Sequence, residues 1–136
     1  MRLAGFNFTK INAEKKKSAV KEIKIDTKIN IENIKEIKSE FANSKESLLA
    51  VEFNYSIEYK NLANLEFGGN LIIILDSKKS KDILKDFENK KISNDFKVSI
   101  FNIILKKSSI KALELEEDLN LPAHFRLPTL KPSKKK

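Results

Sequence analysis

The sequence has no cysteine, no tryptophan and one histidine, and only three glycines and three prolines in 136 residues. Each shortage removes a class of function. Without cysteine there is no disulfide framework, no thiolate nucleophile and no thiolate zinc site. With His124 alone there is no two-histidine metal centre and no histidine pair, and its setting among prolines reads as a structural side chain in a positioned loop. Glycine is too scarce for a phosphate-cradling loop: Gly68-Gly69 leads into a strand-like run, not a helix, and no Gly-Lys-Ser/Thr occurs. These two glycines are expected to mark a bulge or a close backbone approach. An enzyme built from what is left would rely on scattered carboxylates, lysines and tyrosines, so the chain is expected to bind and not to catalyse, with no cofactor.

Long hydrophobic runs are missing as well. The longest, Leu71 to Leu75, is strand-sized and far short of the ~18 residues that cross a membrane. No apolar run of signal-peptide length follows Arg2, so the expected location is the cytoplasm, without membrane insertion. Arginine is nearly absent: of 27 basic residues only Arg2 and Arg126 carry the guanidinium that best reads phosphates and bases. The formal charge of +8 falls to +4 without Lys131, Lys134, Lys135 and Lys136, and to +1 without Lys15, Lys16 and Lys17 as well. RNA binding through these two lysine runs is therefore a secondary reading. Residues 131–136 read as a disordered basic tail behind a single domain of residues 1–130.

What the chain does have is strong alternation followed by helical spacing. With 40% hydrophobic and 34% charged residues it has the composition of a folded globular protein. Leu49, Val51, Phe53, Tyr55, Ile57 and Tyr59 alternate with Ala50, Glu52, Asn54, Ser56 and Glu58, which is a strand with one apolar face. Leu65, Phe67, Gly69, Leu71, Ile73 and Leu75 repeat the pattern after a turn around residues 60–64, so the two segments form an antiparallel hairpin. Upstream, Ile23 to Ile31 alternate and then slip phase to Ile34 and Ile37, which predicts a bulge near Glu32-Asn33. The stretch from Arg2 to Ala13 reads as a less regular strand with a slip at Gly5.

From Asp76 the spacing becomes helical. Ile83, Leu84 and Phe87 mark a short amphipathic helix, and a longer one opens at Ser93, whose hydroxyl can cap it. The longer helix carries two stripes, Phe96, Ile100, Ile103 and Ile104 on one side and Val98, Phe101 and Leu105 on the other. Ser108-Ser109 is expected to interrupt it, and Glu116-Glu117-Asp118 to form a solvated acidic face on a last short helix stopped by Pro122. Residues 121–130 should run extended over the surface. The fold class is therefore α+β, a four-stranded antiparallel sheet followed by two or three helices. Ile72 and Ile74 make the end of the fourth strand apolar on both faces, and Val98 lies in the second helix stripe. These three are expected at a contact between copies in a homo-oligomer, a dimer or a tetramer.

Two stretches carry a resemblance to the SecB-like family of export chaperones. Leu49-Ala-Val-Glu-Phe-Asn-Tyr-Ser-Ile-Glu-Tyr59 with Leu65-Glu-Phe-Gly-Gly-Asn-Leu-Ile-Ile-Ile-Leu75 is similar to the family's central hairpin. The run from Ile100 through Leu121-Pro-Ala-His-Phe-Arg-Leu-Pro-Thr-Leu130 resembles the closing helix and tail of archaeal-type members. The resemblance implies a tetramer built from two dimers and ATP-independent binding of unfolded or nascent chains in apolar grooves between sheet and helix. Mapped by position, Ile29 and Ile31 on the strand and Phe101 and Leu105 on the helix match the groove-forming elements. Bacterial members are acidic and this chain is basic. Service in export, pairing with a toxin–antitoxin system and a single dedicated partner all stay open.

Overall fold

A computed structural model describes residues 1–16, 21–38, 45–126, 128 and 130. The basic tail, Lys17 and part of the connections around it lie outside the described residues. Four strands come first, β1 (Arg2–Lys15), β2 (Ile25–Ile37), β3 (Glu46–Tyr59) and β4 (Ala63–Asp76), and two helices follow, α1 (Ser77–Glu88) and α2 (Asn94–Asp118). The strands form one antiparallel sheet in the order β1-β4-β3-β2, so the strongest hairpin is central and β1 and β2 are the edges.

The β3–β4 hairpin turns tighter than its sequence suggests. Tyr59 pairs with Ala63, and only Lys60, Asn61 and Leu62 lie between them. Asn61 takes φ 61° and the Leu62 N–H donates to Tyr59 O at 2.9 Å, a three-residue loop with asparagine in the left-handed position. This register pairs Leu49 with Ile73, Val51 with Leu71, Tyr55 with Phe67 and Ile57 with Leu65, and all eight are buried beneath the helices. Phe6 and Phe8 of β1 extend the same face, with Phe6 stacked on Phe53 at 5.2 Å and Phe8 tilted against Phe67 at 5.8 Å between ring centroids.

Both edge strands carry the irregularities their phase slips predict. In β2 the register shifts between Ile31 and Asn33, which leaves Glu32 as the extra residue and brings Ile34 back onto the helix-covered face. In β1 it shifts between Leu3 and Gly5 and again between Phe8 and Lys10. The second shift lies opposite Gly68 and Gly69. A Cβ on Gly69 would fall inside contact distance of the Asn7 carbonyl oxygen and 3.0 Å from Phe8 Cα, so glycine is required there by the approach of β1.

Asp76 caps α1 by accepting from the Lys78 N–H at 2.8 Å, and Ser93 caps α2 by accepting from the Phe96 N–H at 3.4 Å. The expected interruption at Ser108-Ser109 does not occur, and α2 runs unbroken for 25 residues. The reason is its buried row, Phe96, Ile100, Ile104, Ser108, Ala112 and Glu116, spaced every four residues. In that row the small side chains at 108 and 112 let the helix approach the sheet, so serine acts as a spacer. Of the two expected stripes, the first is deep. In the second, Phe101 is half-buried while Val98 and Leu105 are exposed.

Candidate functional site

The site begins with how α2 ends. Asn120 adopts φ 54°, and the Leu121 N–H donates back to Glu116 O at 2.8 Å, so the chain reverses in the left-handed cap that normally favours glycine. Lys15 of β1 donates from Nζ to Leu119 O at 2.9 Å, placing a cation at the negative end of the helix. That lysine belongs to one of the two basic runs considered for RNA, and its ammonium is tied to the fold.

The reversal carries residues 121–126 back along α2, where Glu116 holds them. Glu116 is buried, which corrects the expectation of a wholly solvated acidic face: only Glu117 and Asp118 face solvent. It is the sixth member of the four-residue row, and the sheet offers it a hydroxyl. Tyr59 donates to Glu116 Oε2, the His124 backbone N–H donates to the same oxygen at 3.1 Å, and His124 Nδ1 lies 2.9 Å from Oε2 and 3.0 Å from Oε1. Tyr59 also meets the Pro122 carbonyl at 2.5 Å. A buried carboxyl is sustained by this many donors and would be costly without them. Burial first, then the hydrogen bond and the charge of Glu116, push the Tyr59 hydroxyl far above its ordinary pKa.

Beyond the network, between α2, the reversed segment and the sheet, lies an apolar cleft of about 540 Å³. Leu105, Lys106, Ser109, Ile110 and Leu113 of α2, His124 and Phe125 of the reversed segment, and Tyr55 and Thr27 of the sheet line it. Leu105, Ile110 and Phe125 are 37%, 64% and 42% exposed, which is unusual for large apolar side chains gathered around one hollow. Tyr55, almost wholly buried, has its hydroxyl pKa raised mainly by that burial.

Of the residues assigned to a groove from sequence, Leu105 lines this cleft. Ile29 is the cross-strand partner of Tyr55 and Ile31 follows on the same face, both half-buried against the core. Phe101 lies one turn before Leu105, half-buried, with Lys97 Nζ 5.6 Å over its ring. The three residues assigned to an oligomer contact are not together. Ile72 and Ile74 lie on the sheet face away from the helices, whereas Val98, 48% exposed, lies on the outer side of α2. On that open face the register aligns Ile37, Leu48 and Ile74 in one row and Ala50 and Ile72 in the next, an apolar half-face that ends at the Arg2–Glu46 ion pair. Ile110, Leu113 and Phe125 were not singled out from sequence; Ser109 was expected only as a helix interruption and Glu116 only as part of a solvated acidic face.

Among the described residues no three His, Asp or Glu side chains are grouped to hold a metal, and no helix is long and apolar enough to cross a membrane. No family model and no curated relative matches the sequence. Among solved structures, the chain is similar to a SecB-like chaperone of Mycobacterium tuberculosis in complex with a ChAD peptide from the HigA1 antitoxin. The two are 11% identical, the match covers 97% of this chain and 92% of that one, and the TM-score is 0.47.

Proposed function

We propose that this protein is an ATP-independent holdase that binds unfolded or nascent polypeptides along the cleft beside α2. One observation supports this reading above the others: large apolar side chains of α2 and the reversed segment, Leu105, Ile110 and Phe125, stand exposed around a hollow while the core beneath them is complete without them. Such a surface binds by burying apolar side chains of another chain, which is sequence-tolerant and needs no nucleotide. On this reading the client path extends past the cleft to the half-buried Ile29 and Ile31 of edge strand β2 and Phe101 of α2.

The test is suppression of aggregation of a heat-unfolded model enzyme. Changing both Leu105 and Ile110 to serine removes two anchors that would each contribute about 1.5–3 kcal/mol to client burial. Because both lie outside the core, the melting temperature should stay close to that of the parent while suppression falls by tenfold or more. Undiminished suppression by the double variant would remove this cleft as the client site.

A further inference from the structure

Three side chains are linked by hydrogen bonds beside the cleft, which Ser109 and His124 line and behind which Glu116 is buried. Ser109 Oγ lies 3.3 Å from His124 Nε2, and His124 Nδ1 lies 2.9 Å from Glu116 Oε2. Ser109 and Glu116 are seven residues apart, which is two turns on one face of α2, and the reversed segment lays His124 between them. The carboxyl of Glu116 is already the acceptor for Tyr59 and for the His124 backbone N–H, so it accepts from Nδ1–H too. That tautomer leaves the Nε2 lone pair facing the Ser109 hydroxyl, the relation in which a histidine takes a proton from a serine.

The surroundings suit the same chemistry. The His124 side chain is 4% exposed and that of Glu116 2%, so the pair is largely shielded, while Ser109 opens onto the cleft, the route by which an ester and then a water would reach Nε2. Tyr55 also lines the cleft with its hydroxyl hydrogen-bonded to Ser109, and burial, against the opposing effect of that bond, keeps the hydroxyl protonated, so a donor for a developing oxyanion stands beside the nucleophile. The walls offered by Leu105, Leu113 and Phe125 are apolar and would accept a short acyl chain. The chain has no thiol, no histidine pair and, among the described residues, no metal-holding cluster. A serine relay needs only one histidine.

We propose that the cleft also hydrolyses small apolar carboxylic esters, with Ser109 as nucleophile, His124 as general base and acid, and Glu116 as the positioning residue for His124. Ser109 Oγ attacks the ester carbonyl carbon as its proton passes to Nε2. The tetrahedral oxyanion accepts from Tyr55, then collapses with cleavage of the bond to the alkoxide, which leaves as the alcohol with the proton from His124. Water adds to the acyl group on Ser109, giving a proton to Nε2. The bond from carbon to Oγ breaks, Oγ recovers that proton, and the carboxylic acid departs. One ester and one water become one acid and one alcohol.

The experiment uses the purified full-length chain with p-nitrophenyl butyrate and, separately, a fluorophosphonate probe mapped by peptide mass spectrometry. The expected result is turnover above buffer, a phosphonate on Ser109, and loss of turnover in step with labelling. Ser109→Ala should lose at least about 100-fold in rate with an unchanged melting temperature, since a positioned base and its nucleophile contribute that much. Glu116→Gln should lower kcat with little change in KM, the split expected of a positioning residue. Absence of the adduct, absence of turnover, or equal turnover by Ser109→Ala would overturn the proposal and leave the network as a pin for the reversed segment. The holdase reading stands on Leu105 and Ile110 and is measured separately, so either can fail alone.

Discussion

At the scale of single residues, the most consequential positions are polar groups inside the apolar layer. Tyr55 and Tyr59 alternate on β3 with aliphatic neighbours and bury their rings as those neighbours do, yet each brings a hydroxyl under α2. Their pKa values are both raised above the ordinary 10.0, by desolvation first and by Glu116 as well. A raised folded-state value means that the unfolded chain gives up these protons at lower pH than the folded one. The linked stability is therefore whole below pH 10 and is lost as pH climbs above it, at up to about 1.4 kcal/mol per pH unit for each tyrosine. The chain has two tyrosines and no tryptophan, so phenolate absorbance reports on these two alone. In an alkaline titration that absorbance should rise together with the loss of helical circular dichroism. A phenolate signal near pH 10 in a protein that keeps its helices would contradict the burial described here. None of this was legible from composition: Tyr59 looked like one more apolar position, and Glu116 like one of three consecutive acidic residues. The readable signal was its place in the row of every fourth residue from Phe96, followed eight residues later by the one histidine.

At the scale of elements, the strands were readable because period-two alternation has one structural meaning when one face is buried. The bulges were readable for the same reason, since a phase slip must be absorbed by an extra residue. Helix α2 was misread at Ser108-Ser109 because serine competes for backbone hydrogen bonds and so suggests a break when only local propensity is weighed. Packing decides otherwise at that position: Ser108 is wholly buried in the row that faces the sheet. The tail was read as extended, and the backward course of its first residues depends on the left-handed Asn120 and on a distant hydroxyl on β3. The close approach of β1 to β4 at Asn7 and Phe8 requires a residue without a Cβ at position 69. Gly69→Ala would force the new methyl against the Asn7 carbonyl, so β1 must shift, and the expected loss is about 1–3 kcal/mol from the urea midpoint. Gly5→Ala is the control, because the nearest atom to its Cβ would be Ile72 Cδ1 at 4.0 Å; a neutral or slightly stabilising outcome is expected there. Equal effects from the two substitutions would rule out close strand approach as the reason for glycine at 69.

At the scale of the whole molecule, the sheet has two unlike faces. One is filled by α1 and α2. The other has Ile37, Leu48, Ala50, Ile72 and Ile74 at one end, flanked on the edge strands by Arg2 and Lys35, and is polar at the other end, where Glu52, ion-paired to Lys35, and the Lys10–Glu66 pair lie. We propose that a second copy of this chain covers the apolar half. Leu48, Ala50, Ile72 and Ile74 lie on the two central strands, whose backbone donors and acceptors are engaged on both sides. These four positions therefore offer no free backbone with which to hold an extended client. A flat array of branched side chains is matched best by another such array at the ~10 Å spacing of stacked sheets, and the chain's own open face is such an array. A two-fold axis through the patch would set apolar half against apolar half and leave both polar halves in water. The native mass in solution should then be a multiple of 15.6 kDa at micromolar concentration. Changing Ile72 and Ile74 together to lysine should reduce it to the protomer mass with circular dichroism intact, because lysine stems can lie along the sheet with their ammonium groups in water. Val98→Lys, on the far side of α2, should leave the assembly unchanged, which separates this interface from one built on the helix. A native mass of one protomer, or an assembly split by Val98→Lys and not by the sheet variant, would place the contact elsewhere.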